Sequence, residues 1–268
     1  MKTIAFYKMQ ASGNDFIVID HREPFIPDVK AFAKKVCVRQ FSVGADGVLL
    51  IEKSSKADFK MRVINADGSE AEMCGNGSRC VVLFARDILK IRIPLTMETL
   101  GGLVSGDIKD SWIKVKLVEP KDYRNSISLE IEGEKRNVSF VNTMVPHVVH
   151  FTENLKDFPV REVGRAIRNH KEFAPRGTNV NFVQVLGSNE IFVRTYERGV
   201  EDETFACGTG VTASSVVSAI EHKVKSPVRV TTQGGEIIKV YFDLADGRPT
   251  NVHLEGEAHF SFKGELNV

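Results

Sequence analysis

The chain has 268 residues, of which 42% are hydrophobic, and its 36 basic and 35 acidic residues leave a formal net charge of +1. This length and hydrophobic content are enough for two domains of roughly 100 to 150 residues. Because the charges are mixed, nothing in the composition would gather nucleic acid or an anionic membrane, so we expect a small-molecule substrate and neither of those partners.

The apolar stretches are short. Ile4 to Tyr7 is the longest near the N-terminus, and no segment approaches the 18 apolar residues of a membrane span, so we expect a cytoplasmic protein. The four cysteines, Cys37, Cys74, Cys80 and Cys207, are too few for a disulfide scaffold, and a reducing compartment would keep them as thiols.

Periodicity predicts two halves that are mostly strand. Apolar residues at helical spacing predict helices from Val29 to Val36 and from Val160 to Ile167. The predicted strands are Ile4 to Met9, Phe16 to Ile19, Val48 to Ile51, Phe59 to Ile64, Trp112 to Val118, Val138 to Val141, Val148 to Phe151, Asn181 to Leu186, Glu190 to Tyr196, Val228 to Thr232 and Ile237 to Phe242.

One turn occurs twice, 133 positions apart: Met73-Cys74-Gly75-Asn76-Gly77 and Ala206-Cys207-Gly208-Thr209-Gly210. Each copy opens an apolar run of helical length, which predicts a cysteine at a helix N-terminus. The same offset pairs further positions, namely Gly101-Gly102 with Gly234-Gly235, Glu70 with Glu203, Phe59 with Phe192, and Gly44 with Gly177. The sequence therefore predicts a duplicated chain.

The boundary between the halves is predicted near Glu119-Pro120, where the polar stretch Lys121 to Ser128 begins. This gives an N-terminal half of residues 1–119, to which the last C-terminal strand could be added, and a C-terminal half of residues 120–268. We predict an α+β protein of two pseudo-symmetric domains.

The duplicated cysteines indicate proton chemistry at carbon. A helix N-terminus lowers the pKa of a thiol, and backbone N–H groups at glycine turns can hold a carboxylate. Inverting a carbon needs a base on one face and an acid on the other, which a matched pair of thiols supplies. A lone Cys-Gly is more often structural, and Cys37 and Cys80 are assigned to that class.

Other motifs are weaker. Gly208 to Ala213 matches a dinucleotide-binding pattern, but acidic residues precede it and no βαβ unit follows. The sequence has no P-loop and no C-x-x-C, and His147 and His150 lack further ligands nearby. We expect no metal and no cofactor.

At these residues the chain closely resembles the diaminopimelate epimerase family over nearly its whole length. The matching segments are Ser12-Gly13-Asn14-Asp15-Phe16, Gly44-Ala45-Asp46-Gly47, Asn65-Ala66-Asp67-Gly68-Ser69-Glu70, both cysteine turns, Pro146-His147, Gly177-Thr178-Asn179-Val180-Asn181-Phe182 and Tyr196-Glu197-Arg198-Gly199. The resemblance implies pyridoxal-independent interconversion of LL- and meso-diaminopimelate, a step toward lysine and peptidoglycan.

The resemblance also implies roles for residues. Cys74 and Cys207 would be the acid and base, and His147 and Glu197 would adjust their proton affinities. The substrate site would contain Asn14, Asn65, Asn179, Glu197 and Arg198, with the backbones of Gly75, Asn76, Gly208 and Thr209 on the reacting carboxylate. From the residues alone, these asparagines could equally shape turns, and Glu197-Arg198 could be a surface ion pair.

For the fold, the resemblance implies a mixed sheet around a central helix in each domain, at about residues 76–89 and 209–222. The active site would lie in the cleft between domains, and the protein would be a homodimer. The chain departs from the family pattern at Met144-Val145, where many members carry an asparagine or a glycine, and at Gly47, where some carry glutamine.

Three alternatives stay open. The chain could be a related cofactor-independent racemase or epimerase acting on proline or hydroxyproline, a non-catalytic binding relative, or a redox sensor whose two thiols form a disulfide. At the 133-residue offset, Asn65 corresponds to Arg198 and Asn14 to His147. We expect substrate specificity to be determined by positions such as these, at which the two halves carry different residues.

Overall fold

The computed structural model describes residues 3–131 and 133–267. The chain divides into two compact units, Met1–Lys116 with Gly256–Val268, and Leu117–Glu255. The first unit therefore includes the segment from residue 256 onward, and the second unit ends at Glu255 rather than at residue 268.

The first unit consists of the following elements: β1 (Thr3–Ala11), β2 (Asn14–Asp20), α1 (Val29–Val36), β3 (Gly47–Glu52), β4 (Phe59–Asn65), β5 (Glu70–Ala71), α2 (Gly75–Asp87), β6 (Leu95–Thr99), β7 (Gly102–Lys109), β8 (Trp112–Lys116) and β18 (His259–Asn267).

The second unit consists of these: β9 (Lys121–Ile131), β10 (Glu134–Asn142), β11 (Pro146–Phe151), α3 (Val160–Arg168), a 3₁₀ turn (Lys171–Phe173), β12 (Asn179–Gly187), β13 (Glu190–Glu197), β14 (Asp202–Thr204), α4 (Gly208–Ile220), β15 (Val228–Thr232), β16 (Ile237–Ala245) and β17 (Arg248–Gly256).

Both units have the same mixed-sheet topology. In the first, the strand order is β18-β1-β2-β3-β4-β6-β7-β8, with β2–β3 and β4–β6 parallel and β5 added beside β4. In the second, the order is β9-β10-β11-β12-β13-β15-β16-β17, with β11–β12 and β13–β15 parallel and β14 added beside β13. The predicted duplicated α+β fold is confirmed.

Each unit has a central helix that is buried on all sides. Gly75 to Ala85 of α2 are buried, and this helix contacts β1, β2, β3, β4, β7 and β8. Gly208 and all residues from Gly210 to Ala219 of α4 are buried, and α4 contacts β10, β11, β12, β13, β15 and β16. A helix enclosed in this way needs apolar residues around its whole circumference, which is why each cysteine turn precedes a nearly continuous apolar run.

The outer helices also lie where the apolar stripes predicted them. Asp28 caps α1 by accepting hydrogen bonds from the backbone N–H groups of Lys30 and Ala31, each at 3.0 Å, and Phe32, Ala33 and Val36 are buried. In α3, the buried face is Val160, Val163, Gly164 and Ile167.

The polar stretch next to the predicted boundary forms a strand. Residues 121–128 belong to β9, which pairs antiparallel with β10. Most β9 side chains before Leu129 are exposed, so the strand needs backbone pairing but no apolar pattern. Polar composition alone could not distinguish this strand from a linker. Strands β5, β6, β7, β14, β17 and β18 were also not predicted from the sequence.

Candidate active site

Both duplicated cysteines lie at helix N-termini, as predicted. Cys74 is the N-cap residue of α2, with extended φ and ψ of −140° and 117°, and its Sγ accepts the Gly77 N–H at 3.4 Å. Cys207 is the N-cap residue of α4, with φ and ψ of −117° and 111°, and its Sγ lies 3.4 Å from the hydroxyl oxygen of Thr209. Both thiols therefore lie at the positive end of a helix dipole.

In the first unit, Cys74 lies beside the side chain of Asn14. The Asn14 Oδ1 is 3.8 Å from Cys74 Sγ and 3.5 Å from Asn76 Nδ2, while its Nδ2 donates to Asp46 at 2.6 Å. A carboxylate only accepts hydrogen bonds, so Asp46 fixes which end of the Asn14 amide turns toward the thiol. The thiol thus faces an amide oxygen.

An ion network holds Asp46 in place. Arg39 donates to Asp46 at 2.9 Å and to Asp15 at 2.6 Å, and Lys8 forms an ion pair with Asp15 at 2.6 Å. Burial opposes ionisation of Asp15, but hydrogen bonds from Arg39 and Lys8 outweigh it and lower the pKa of this carboxyl group. Sequence reasoning did not assign a role to Asp46 or Asp15, although both lie in the quoted segments.

The side chain of Asn76 is held by a buried arginine. Arg79, one turn along α2, is fully buried and donates from Nη2 to Asn76 Oδ1 at 3.0 Å and to Ser12 Oγ at 2.5 Å. This arrangement holds the polar residue of the first cysteine turn, so that its amide nitrogen faces Asn14.

In the second unit, His147 replaces Asn14 at the corresponding position. Its Nε2 lies 3.0 Å from Thr209 Oγ1, and its Nδ1 lies 3.1 Å from Asn181 Nδ2. The ring is completely buried, and this burial, with the charge of Arg198, lowers the pKa of His147 to about 3. His147 is therefore a neutral imidazole near pH 7, linked to Cys207 through a hydroxyl group.

Asn179 lies between this histidine and the backbone of Arg198. The Asn179 Oδ1 accepts the backbone N–H of Arg198 at 2.8 Å, and its Nδ2 lies 3.5 Å from His147 Nε2. Burial, followed by the charges of Arg168 and Arg176, lowers the pKa of Arg198. Arg168 is paired with Glu201 at 3.0 Å, so Arg198 and Arg176 supply most of the positive charge that favours an anion in this part of the second unit.

The other predicted residues lie at the ends of strands and at the starts of helices. The Glu197 carboxylate accepts the Thr204 hydroxyl at 3.1 Å. Asn65 ends β4, and its amide donates to Ser69 Oγ at 2.9 Å, which ties it into the β4–β5 turn. Gly75 and Gly208 begin their helices and are buried.

The two departures from the family pattern have local consequences. A Cβ at Gly47 would lie 2.8 Å from the Ile64 carbonyl oxygen, so a glutamine there would need a shift of the paired backbone. Met144 has a φ of 80°, in the left-handed region that favours glycine. The same turn brings the Thr143 hydroxyl within 3.1 Å of the Thr209 carbonyl oxygen.

The remaining cysteines do not resemble reactive thiols. Burial raises the pKa of Cys37 to about 11, and Cys80 is completely buried within α2. Over residues 3–131 and 133–267, no three or more His, Cys, Asp or Glu side chains form a group that could hold a metal ion. In the same residues, no helix has both the length and the apolar character of a membrane span.

Solved structures share this architecture. A phenazine biosynthesis protein of the PhzF family from Bacillus anthracis matches with a TM-score of 0.80 at 16% identity, covering 100% of both chains. A hydroxyproline epimerase from Agrobacterium vitis matches with a TM-score of 0.71 at 14% identity, covering 98% of this chain and 92% of that one. The chain therefore has the duplicated α+β fold of these proteins, and at such identities the likeness extends to the fold alone.

Sequence relatives define the family. The diaminopimelate epimerase family model matches residues 6–121 and 139–253. Diaminopimelate epimerase from Aquifex aeolicus is 44% identical, covering 98% of this chain and 97% of the relative, and the enzyme from Methanocella arvoryzae is 41% identical, covering 100% and 98%. The chain belongs to the diaminopimelate epimerase family, and it is an isomerase.

Proposed function

We propose that this chain interconverts LL- and meso-diaminopimelate, with Cys74 and Cys207 exchanging the roles of base and acid at one α-carbon. The observation that carries this proposal is the repeated geometry of the two thiols. Each is the N-cap residue of a buried central helix, and each lies against a polar group supplied by its own unit.

The chemistry of each step follows from these surroundings. The thiolate removes the α-proton, while the thiol on the opposite face donates its proton to the same carbon. Negative charge then moves onto the substrate carboxylate, where the backbone N–H groups of Gly75, Asn76, Gly208 and Thr209 would stabilise it as an oxyanion hole does. The reverse reaction uses the same two groups with their protonation states exchanged.

The far end of the substrate is assigned to the polar residues around Arg198. A guanidinium group is the natural bidentate partner for a carboxylate, and Arg176 adds to the positive charge there. Asn14, Asn65, Asn179 and Glu197 complete the proposed site. The curated relatives favour this substrate over the proline or hydroxyproline alternatives.

The proposal includes the oligomeric state and the cellular compartment of the protein. The family resemblance supports a homodimer in the cytoplasm. Light scattering at several protein concentrations tests the homodimer, and a single monomeric mass at all of them would contradict it.

The direct test of the function is isotope exchange in deuterated water. Wild-type protein should place deuterium at one α-carbon of LL-diaminopimelate, and Cys74→Ala or Cys207→Ala should lower the rate by at least about 100-fold, the range that general acid–base groups contribute. Cys37→Ala is the matched control, because it removes a buried thiol outside the proposed site. Epimerisation by either active-site variant at the wild-type rate would show that the two-thiol mechanism is wrong.

A further inference from the structure

Asn181, a residue to which no role was assigned above, has its side-chain orientation fixed by the second unit. It lies on β12 and is completely buried. Its Nδ2 donates to the Val148 carbonyl oxygen at 2.9 Å, and its Oδ1 accepts the Thr195 hydroxyl at 3.0 Å. Because a carbonyl oxygen only accepts, the amide has one possible orientation, and its Nδ2 also faces His147 Nδ1 at 3.1 Å.

We propose that Asn181 is a positioning residue, which holds His147 as the tautomer with its proton on Nε2 and so directs the Thr209 hydroxyl toward Cys207. The inference rests on the proposed function, since it concerns how Cys207 is prepared for proton transfer. A donor facing Nδ1 requires a lone pair on that atom, and a neutral imidazole then carries its single proton on the other nitrogen.

The proton on Nε2 determines what Thr209 can do. Nε2–H donates to Thr209 Oγ1 across 3.0 Å, and this uses one lone pair of the hydroxyl oxygen. One proton and one lone pair remain for Cys207 Sγ at 3.4 Å. The hydroxyl can therefore donate to a thiolate or accept from a thiol, which suits a group that alternates between base and acid.

The charges around the ring agree with a neutral imidazole. Burial lowers the pKa of His147 to about 3, and the charge of Arg198, the residue after β13, acts in the same direction. Of the other groups within hydrogen-bond distance of the ring, Asn179 and Asn181 are uncharged, and Cys207 is reached through Thr209. Asn179 Nδ2 is 3.5 Å from Nε2, as expected for two donors that lie close without bonding.

The second glycine of the Cys207 turn provides the space for Asn181. A Cβ at Gly210 would lie 2.3 Å from Asn181 Oδ1, so any other residue there would displace the amide. In the first unit, a Cβ at Gly77 would instead meet Leu49 Cδ2 at 3.1 Å, and Val48 stands at the position corresponding to Asn181. The buried amide that orients a partner residue is therefore a feature of the second unit.

The tautomer can be measured by NMR on the full chain labelled with ¹⁵N-histidine, with the His147 signals assigned by His147→Gln. We expect a directly bonded proton on Nε2 and none on Nδ1. Asn181→Asp replaces the donor with an acceptor and should move the proton to Nδ1 or add a second proton. A wild-type ring protonated on Nδ1, or an Asp variant with an unchanged ring, would overturn the proposal.

Thr209 supplies a second test that does not depend on folding of the Asn181 variant. In a Cys74→Ala background, alkylation of Cys207 by iodoacetamide is followed against pH by peptide mapping. Thr209→Val should move the midpoint upward by about one pH unit, the equivalent of a tenfold change in the thiolate equilibrium, and Thr209→Ser should restore it. An unchanged midpoint in the valine variant would contradict the proposal.

Ser215→Ala is the matched control for both tests. Ser215 is equally buried in the second unit, and its hydroxyl donates within α4 to the Val211 carbonyl oxygen at 2.9 Å. Its loss should leave the tautomer and the alkylation midpoint unchanged. Neither readout requires epimerisation, so failure of the proposed activity and failure of this inference give different results.

Discussion

Cys74 faces an amide oxygen, whereas Cys207 faces a hydroxyl group. Asn14 is held by Asp46, so its amide oxygen can only accept a hydrogen bond from the first thiol. Thr209 is held by His147 and retains a proton for the second thiol. The same turn on the same kind of helix is thus given different hydrogen-bonding surroundings by the residues at corresponding positions 14 and 147.

Burial of His147 predicts a pH dependence of stability. Its pKa is about 3 in the folded protein and 6.5 when unfolded, so the unfolded chain binds the extra proton as the pH falls through this window. The contribution is absent above pH 6.5 and destabilises the fold progressively below it. Between pH 7 and pH 5 the expected loss is about 2 kcal/mol.

Urea unfolding of wild type and His147→Gln at both pH values measures this loss. The glutamine variant should lose about 2 kcal/mol less between pH 7 and pH 5. The pKa of His150 is also lowered by burial, but His150 is present in both proteins, and its effect cancels in the comparison. Equal losses in the two proteins would show that His147 is not buried as a neutral ring.

The sequence pattern predicted the two cysteines at helix N-termini and the resemblance implied His147, but neither predicted the residues that support them. The Cys74 and Cys207 turns are local patterns, so a single chain displays them. Asp46 and Asn181 act on residues 32 and 34 positions away, across the parallel pairs β2–β3 and β11–β12. Only the pairing of those strands brings such residues together, and strand pairing was not predicted.

At the scale of elements, close approach between helices and strands explains two glycines. Gly106 on β7 lies over α2, and a Cβ there would be 2.3 Å from Val82 Cγ2. Gly164 on α3 lies similarly over Tyr196 of β13, where a Cβ would be 2.5 Å from the Tyr196 Cβ. These glycines set the distance between layers.

A double-mutant cycle tests the contact between β7 and α2. Gly106→Ala should destabilise the protein by about 1 to 3 kcal/mol through overpacking. Adding Val82→Ala removes the clashing methyl groups, so the double variant should be more stable than the sum of the single changes by about 0.5 to 3 kcal/mol.

The cycle is evaluated from the free energies of unfolding of wild type, the two single variants and the double variant. Gly187→Ala is the control, because a Cβ there meets nothing closer than Glu190 Cβ at 4.0 Å. Strict additivity of the two substitutions would contradict the close approach of β7 to the central helix.

Helices were easier to predict than exposed strands. The stripes of α1 and α3 and the apolar runs of α2 and α4 follow from burial of particular faces, which the sequence records directly. β9 and β18 expose most of their side chains, so their residues carry little pattern. What holds them is backbone pairing with β10 and β1, a feature that composition does not encode.

At the scale of the whole molecule, the two units differ in where their chain begins. The second unit starts with β9, which forms a hairpin with β10, whereas the first unit starts with β1 and receives the corresponding strand, β18, from the far end of the chain. Thr3 pairs with Asn267, so the two ends of the described chain are neighbours. The first unit is thus a circular permutation of the second.

This relation predicts that a circular permutant will fold. Joining the ends through a short glycine linker and opening the chain between Glu257 and Ala258 would make β18 and β1 a hairpin like β9 and β10. Because every strand keeps its partners, we expect native far-ultraviolet circular dichroism and a urea midpoint close to that of wild type. A chain shortened to end at Glu257, which lacks β18, should be much less stable. Equal stability of the shortened chain would contradict a structural role for β18.

The position of β18 also affects the order of events during synthesis. The second unit has all its strands once β17, which ends at Gly256, has left the ribosome, whereas β1 must wait for β18 before its outer edge is paired. Domains generally fold from the N-terminus as they are made. In this chain the half that is translated first is the last to be completed, and an early stop before β18 would leave β1 exposed as an unpaired edge open to aggregation.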